Sequence, residues 1–95
     1  FASTVTGGGN NKATGLDATI SGGGNNIASG TGAAIAGGGG GESVAEGNLA
    51  AGDYSTIGGG ASNSASGDDS SVGGGHGRSV TGTFDWRAGA LLQGD

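Results

Sequence analysis

Few residues of this chain are equipped for covalent or metal chemistry. His76 is the one histidine, and cysteine is absent. Asp85 follows His76 by nine residues and serines are frequent. A Ser-His-Asp relay is therefore the one nucleophilic arrangement these residue types allow: histidine would take the serine proton and the carboxylate would orient the ring. No nucleophile-elbow pattern places a serine on a strained strand-to-helix turn. A lone histidine in a glycine-rich loop is more often a solvated turn residue, so the residues point away from an enzyme.

Three further chemistries are suggested by the glycine-rich turns and by the polar residues near them. A phosphate-cradling loop would need Gly-x-x-x-x-Gly-Lys-Ser/Thr, and Lys12 follows Asn11 rather than glycine. Calcium-binding β-rolls carry Gly-Gly-x-Gly-x-Asp at a nine-residue period. Asp17, Asp53, Asp68 and Asp69 stand after Ala-x-Gly steps here, but Gly32 interrupts the series. These carboxylates read as solvated corners, with no metal and no cofactor expected. A threonine-bearing column (Thr4, Thr19, Ala34, Thr56, Ser71) raises ice binding, yet one interrupted column falls short of a regular array.

What must position all of these residues is an internal repeat. An aliphatic recurs at Val5, Ile20, Ile35, Ile57 and Val72, with spacings of 15, 15, 22 and 15. The long spacing is one repeat plus a seven-residue insertion, placed within 39–50. It reads as extra glycine (Gly39–Gly41) plus a doubled Ala-x-Gly step, Ala45-Glu46-Gly47 before Ala50-Ala51-Gly52. Glycine follows each aliphatic at Gly7, Gly22, Gly37, Gly59 and Gly74, and again one residue later. A second glycine column is Gly15, Gly30, Gly52, Gly67 and Gly82. Small residues stand at Ala13, Ala28 and Ala65 and at Ala18, Ala33 and Ser70; an asparagine column is Asn11, Asn26 and Asn63.

Each column has a mechanical meaning. Glycine supplies positive φ or close backbone approach at corners. Asparagine tolerates the left-handed region. The β-branched column suits a pleated strand. One coil cannot bury its apolar face, whereas stacked coils make a continuous one. Glycine/serine-rich chains are otherwise flexible linkers, but a linker need not hold isoleucine in register. No 3.6-residue periodicity supports a helix.

Composition narrows the function classes. Glycine supplies 27 of 95 residues and proline none, which excludes collagen. Only 16 apolar residues are larger than alanine, too few for an ordinary core in a lone chain. Backbone ladders or partner chains must supply the rest. Net charge is −5, which argues against nucleic acid or anionic membrane as partner. No apolar run is long enough to insert in a membrane. The chain starts at Phe1 rather than methionine and is expected to be part of a longer protein.

The segments Ala18-Thr19-Ile20-Ser21-Gly22, Ser55-Thr56-Ile57-Gly58-Gly59 and Ser70-Ser71-Val72-Gly73-Gly74 resemble the Ser-Val-Ala-Ile-Gly step of YadA-like heads of trimeric autotransporter adhesins. Ala13-Thr14-Gly15, Ala28-Ser29-Gly30 and Ala65-Ser66-Gly67 resemble the steps that follow it. The resemblance covers residues 3 to about 84. It implies an all-β, left-handed parallel β-roll, packed side by side as a homotrimer, with Val5, Ile20, Ile35, Ile57 and Val72 at interior or trimer-interface positions. It also implies a bacterial cell-surface location and attachment to host matrix protein, glycan or other cells. A trimeric fibre or shaft of a phage or other appendage is the alternative. The family repeat is nearer 14 residues and has an aliphatic where this chain has Thr6, Ser21, Ala36, Gly58 and Gly73.

The pattern ends after the fifth coil. Arg87 stands where the next aliphatic is due, preceded by Phe84-Asp85-Trp86. The expected organisation is a roll over 1–86, with coils starting near 5, 20, 35, 57 and 72, and a cap and exit segment over 84–95. Phe84 and Trp86 alternate, so both rings are expected on one side, covering the last coil; the other reading is an aromatic ligand site. Phe1 is expected to make a similar contact at the opposite end.

Overall fold

The structure is a computed structural model that describes residues 2–40, 46–89 and 91–93. The chain winds through about five coils as a parallel β-solenoid with two sheets. The first sheet contains β1 (Thr4–Val5), β3 (Thr19–Ile20), β5 (Ala34–Ile35), β7 (Thr56–Ile57), β9 (Ser71–Gly74), β11 (Trp86–Ala88) and β12 (Leu91–Gln93). The second contains β2 (Lys12–Ala13), β4 (Ile27–Ala28), β6 (Leu49–Ala50), β8 (Ser64–Ala65) and β10 (Ser79–Val80). Each coil contributes one strand to each sheet. The register follows the repeat without slip from Val5↔Ile20 to Ile57↔Val72. Only β12 runs antiparallel, folded back on β11.

Nine of the twelve strands are two residues long, because a coil must turn twice within about fifteen residues. With so short a strand, one side chain points out and the next points in. The inward set is Ile20, Ile35, Ile57 and Val72 on the first sheet, facing Ala28, Ala50, Ala65 and Val80 on the second, all at most 2% exposed. Large faces small across the gap, which permits a molecule only 15 Å thick along its shortest axis. Ala18, Ala33, Ser55 and Ser70 fill one corner of this interior, and both serine hydroxyls donate to carbonyls of their own turn, Gly52 at 2.6 Å and Gly67 at 2.5 Å.

The other corner is held by a ladder of asparagine amides. Between the first-sheet strand and the second-sheet strand lies what we term the asparagine turn. Asn26 donates through Nδ2 to Gly22 O in its own coil and to Gly38 O in the next, both at 3.0 Å. Its Oδ1 accepts the N–H of Asn48 at 2.9 Å. Asn48 and Asn63 repeat the pattern, and Asn63 Oδ1 accepts the N–H of Arg78. Asn26, Asn48 and Asn63 are at most 1% exposed. Each of these buried side chains thus makes three charge-neutral bonds, two to carbonyls and one from an N–H, which uses both amide protons and the amide oxygen.

Asn48 belongs to this column and is not in the expected series. It lies two residues before Ala50, as Asn26 lies two before Ala28. Gly39 still pairs with Gly24, while Glu46 O accepts from Ser62 N–H and Gly47 stacks on Asn25. The seven inserted residues therefore fall within the asparagine turn, between Gly39 and Gly47. Ala50 is the member of the small-residue column; Gly41 and Ala45 of the expected extra glycines and doubled step lie outside the described residues.

Two glycine columns are required for different reasons. Gly8, Gly23, Gly38, Gly60 and Gly75 have φ between 83° and 116°, in the left-handed region. At Gly15, Gly30, Gly52 and Gly67 a Cβ would strike the carbonyl of the corresponding glycine in the next coil. The preceding column, Gly7, Gly22, Gly37, Gly59 and Gly74, has open space for a side chain. Its described role is to offer carbonyls to the asparagine amides, as Gly7, Gly22, Gly37 and Gly59 do.

Two stability predictions follow from this packing. Ile35→Ala should cost about 2–5 kcal/mol in urea unfolding, because neighbours stacked above and below cannot collapse into the gap. Asn48→Ala should cost about 2 kcal/mol or more, since it strands Asn63 N–H and Gly37 O, while Gly60 O keeps the N–H of Gly39. Asn48→Asp keeps the acceptor but turns a carboxylate oxygen towards Gly37 O and Gly60 O. Burial and those carbonyls raise its folded-state pKa, so its destabilisation should grow as pH rises through the carboxyl range. Equal stability of Asn48→Asp at pH 4 and pH 8 would contradict the ladder.

Candidate functional surfaces

Among the described residues the interior is filled by the aliphatic, small and asparagine columns, and the titratable side chains that the sequence singles out lie at the turns. His76 is exposed on the asparagine turn and bridges Ala61 of the preceding coil. Asp85 lies at the opposite turn, in the column of Ala18, Ala33, Ser55 and Ser70. The two cannot form a relay with one serine. Among the described residues no group of three His, Asp or Glu stands close enough to hold a metal ion.

We term the turn from the second sheet back to the first the aspartate turn. Each is closed by a bond of the type Ala18 N–H to Gly15 O, 3.1–3.3 Å across the five coils. Asp53 and Asp68 behave there as Asn26 does at the other turn. Asp53 Oδ1 accepts Thr31 N–H at 2.9 Å, and Asp68 Oδ1 accepts Asp53 N–H at 3.0 Å. Sequence reasoning placed these aspartates at corners but missed this second, shorter ladder. The next position is Asp17, Gly32, Tyr54, Asp69 and Phe84, and every one has φ between 55° and 65°. Positive φ at the third place of a turn favours glycine, so Tyr54 and Phe84 are unusual occupants.

The outward columns of the first sheet are Thr4, Thr19, Ala34, Thr56, Ser71 and then Trp86, and beside them Thr6, Ser21, Ala36, Gly58 and Gly73. Rungs stand about 4.8 Å apart. Apart from Trp86, the described side chains of this face are small and mostly hydroxylated, with no large aliphatic among them. On the second sheet Lys12, Ile27, Leu49, Ser64 and Ser79 point outward, beside Thr14, Ser29, Ala51, Ser66 and Thr81. A shallow 260 Å³ depression lies between Asn10, Lys12, Asn25 and Ile27.

The aliphatic column is closed within the single chain. Ile20, Ile35, Ile57 and Val72 point inward, and only Val5, in the first coil, is exposed at 43%. A contact between chains must therefore use the outward columns or the turns. The far end is shut differently from the expected aromatic cap. Phe84 is 60% exposed on the aspartate turn, and Trp86 is 40% exposed on the outer face, paired with Ser71 and Gln93. Arg87 takes the next place in the aliphatic column, beside Val72, and donates from Nη1 to Ser79 O at 3.3 Å. Its side chain crosses the mouth of the coil, covering apolar surface with its stem while its head binds the edge of the second sheet. Phe1 lies outside the described residues.

Arg87→Ala should open this mouth without dissolving the fold. Amides of β9 and β10 should lose hydrogen-exchange protection while those of β3–β6 keep theirs. Uniform loss across all coils, or none, would contradict the closure.

No protein-family model, curated protein or solved structure matches this chain.

Proposed function

We propose that this chain is a non-enzymatic head segment of a trimeric bacterial surface adhesin, a left-handed roll that presents a repetitive surface for attachment. One observation carries the reading. Four coils hold an asparagine side chain in register for the ladder, leaving a regular outer array made mostly of small hydroxylated and apolar residues. Such a face suits weak contacts multiplied over rungs, over three chains and over many molecules at a cell surface. The sequence steps resembling YadA-like heads supply the adhesin assignment and the extracellular location. Matrix proteins, glycans or other cells are the corresponding partners.

A second reading is a purely structural fibre or shaft module. It is favoured by the smallness of the outer columns, which offer no deep pocket. Light scattering on residues 1–95, with circular dichroism on the same sample, separates these. The head reading expects a β spectrum, the mass of three chains, and binding of the trimer to a matrix-protein or glycan array. A folded monomer would overturn the trimeric head. A trimer silent on the arrays would replace the head with the shaft.

A further inference from the structure

Four carboxylates and two of the three exposed rings among the described residues share one edge. Along the aspartate turns, Tyr54 is 62% exposed, Phe84 60% and Leu16 43%. Tyr54 and Phe84 occupy the same column two coils apart, and Asp69 stands between them. The Tyr54 ring lies back over Gly32 of the preceding coil, where a Cβ would meet Cδ1 at 2.8 Å. It thus packs against Gly32 with most of its surface in solvent. Asp17, Asp53, Asp68 and Asp69 are all exposed on the same edge. Lys12, His76 and Arg78 belong to the opposite turn or the strand leaving it, and Arg87 to β11. No described cation stands among the four carboxylates.

The edge is also rigid. Successive turns are tied by Gly32 N–H to Leu16 O and Tyr54 N–H to Thr31 O, both 2.7 Å, by Asp69 N–H to Asp53 O at 2.8 Å, and by Phe84 N–H to Asp68 O at 3.1 Å. Large apolar rings held at positive φ in water cost stability in two ways, and neither ring contributes to the interior. Glycine occupies the same place in the second coil, so the fold itself does not demand an aromatic there.

We propose that this edge is a docking surface for an extended cationic peptide segment, rich in arginine. The chemistry selects that occupant. The carboxylates only accept hydrogen bonds and carry charge, which suits guanidinium donors. The ring faces attract the same cations. A neutral sugar could donate its hydroxyls to the same carboxylates but would leave their charge uncompensated, whereas a guanidinium supplies donors and opposite charge together. From Asp17 to Phe84 the edge spans four rungs, about 19 Å, which about six extended residues cover. The proposal depends on the solenoid alone and stands whether the module is head or shaft.

The test is binding of fluorescent hexa-arginine by anisotropy to the protein and to two variants. Asp17→Asn/Asp69→Asn removes two charges outside the ladder. Tyr54→Gly/Phe84→Gly removes both rings and relieves the positive φ, so folding is preserved; circular dichroism verifies it in both. Each double variant should weaken hexa-arginine binding, by about tenfold for the carboxylates and about threefold or more for the rings, the latter matching exposed cation–π contacts. Raising salt from about 20 to 200 mM should weaken it further, and hexa-lysine should bind less well than hexa-arginine. Overturning results are equal binding by the wild type and the carboxylate variant, unchanged binding after ring removal, no binding at low salt, or preference for a neutral oligosaccharide.

Discussion

One amide side chain per coil ties each turn of this solenoid to the next. The interior is too narrow for a conventional core: isoleucine faces alanine, and none of the described aromatics is buried. Cohesion therefore falls on directional bonds. The asparagine ladder uses one acceptor and two donors at each step, and each bond joins the side-chain amide to a backbone group of its own or a neighbouring coil. The bonds also settle the orientation of each amide, because only oxygen can accept the next N–H and only nitrogen can face two carbonyls.

The glycine content follows from the same constraint. For Asn26 to reach carbonyls in two coils, the turn beneath it must pass close under the next one with φ in the left-handed region, as at Gly23. At the opposite corner the coils approach so closely that Gly30 admits no side chain. Glycine loses much entropy on ordering. The cost is offset by a ladder in which nearly every backbone group of an inner coil is paired, and by a period that presents the same solution at each rung.

Much of this was legible because it is periodic. Ile20, Ile35 and Ile57 identify the inward strand position, and Ala28-Ser29-Gly30 with its counterparts identifies the second strand and the tight corner. What escaped was local or disguised. Asn48 is separated from its column by the insertion, and counting back from Ala50 would have found it. Asp53 and Asp68 resemble solvated carboxylates, since sequence cannot show that Oδ1 accepts a backbone N–H. The end closure was misplaced onto Phe84 and Trp86 because aromatic residues usually bury themselves. Here the aliphatic stem and guanidinium of Arg87 do that work, since they can both cover Val72 and satisfy Ser79 O.

The insertion has a consequence for how such molecules diversify. The extra residues fall between Gly39 and Gly47, and the strands on either side keep the register of coils with no insertion. Lengthening at this corner is therefore decoupled from the rest of the winding. The asparagine turn is a port through which variable sequence can enter the scaffold one coil at a time. A lineage built on this architecture can change what it displays by editing loops, while the rungs that carry them remain untouched.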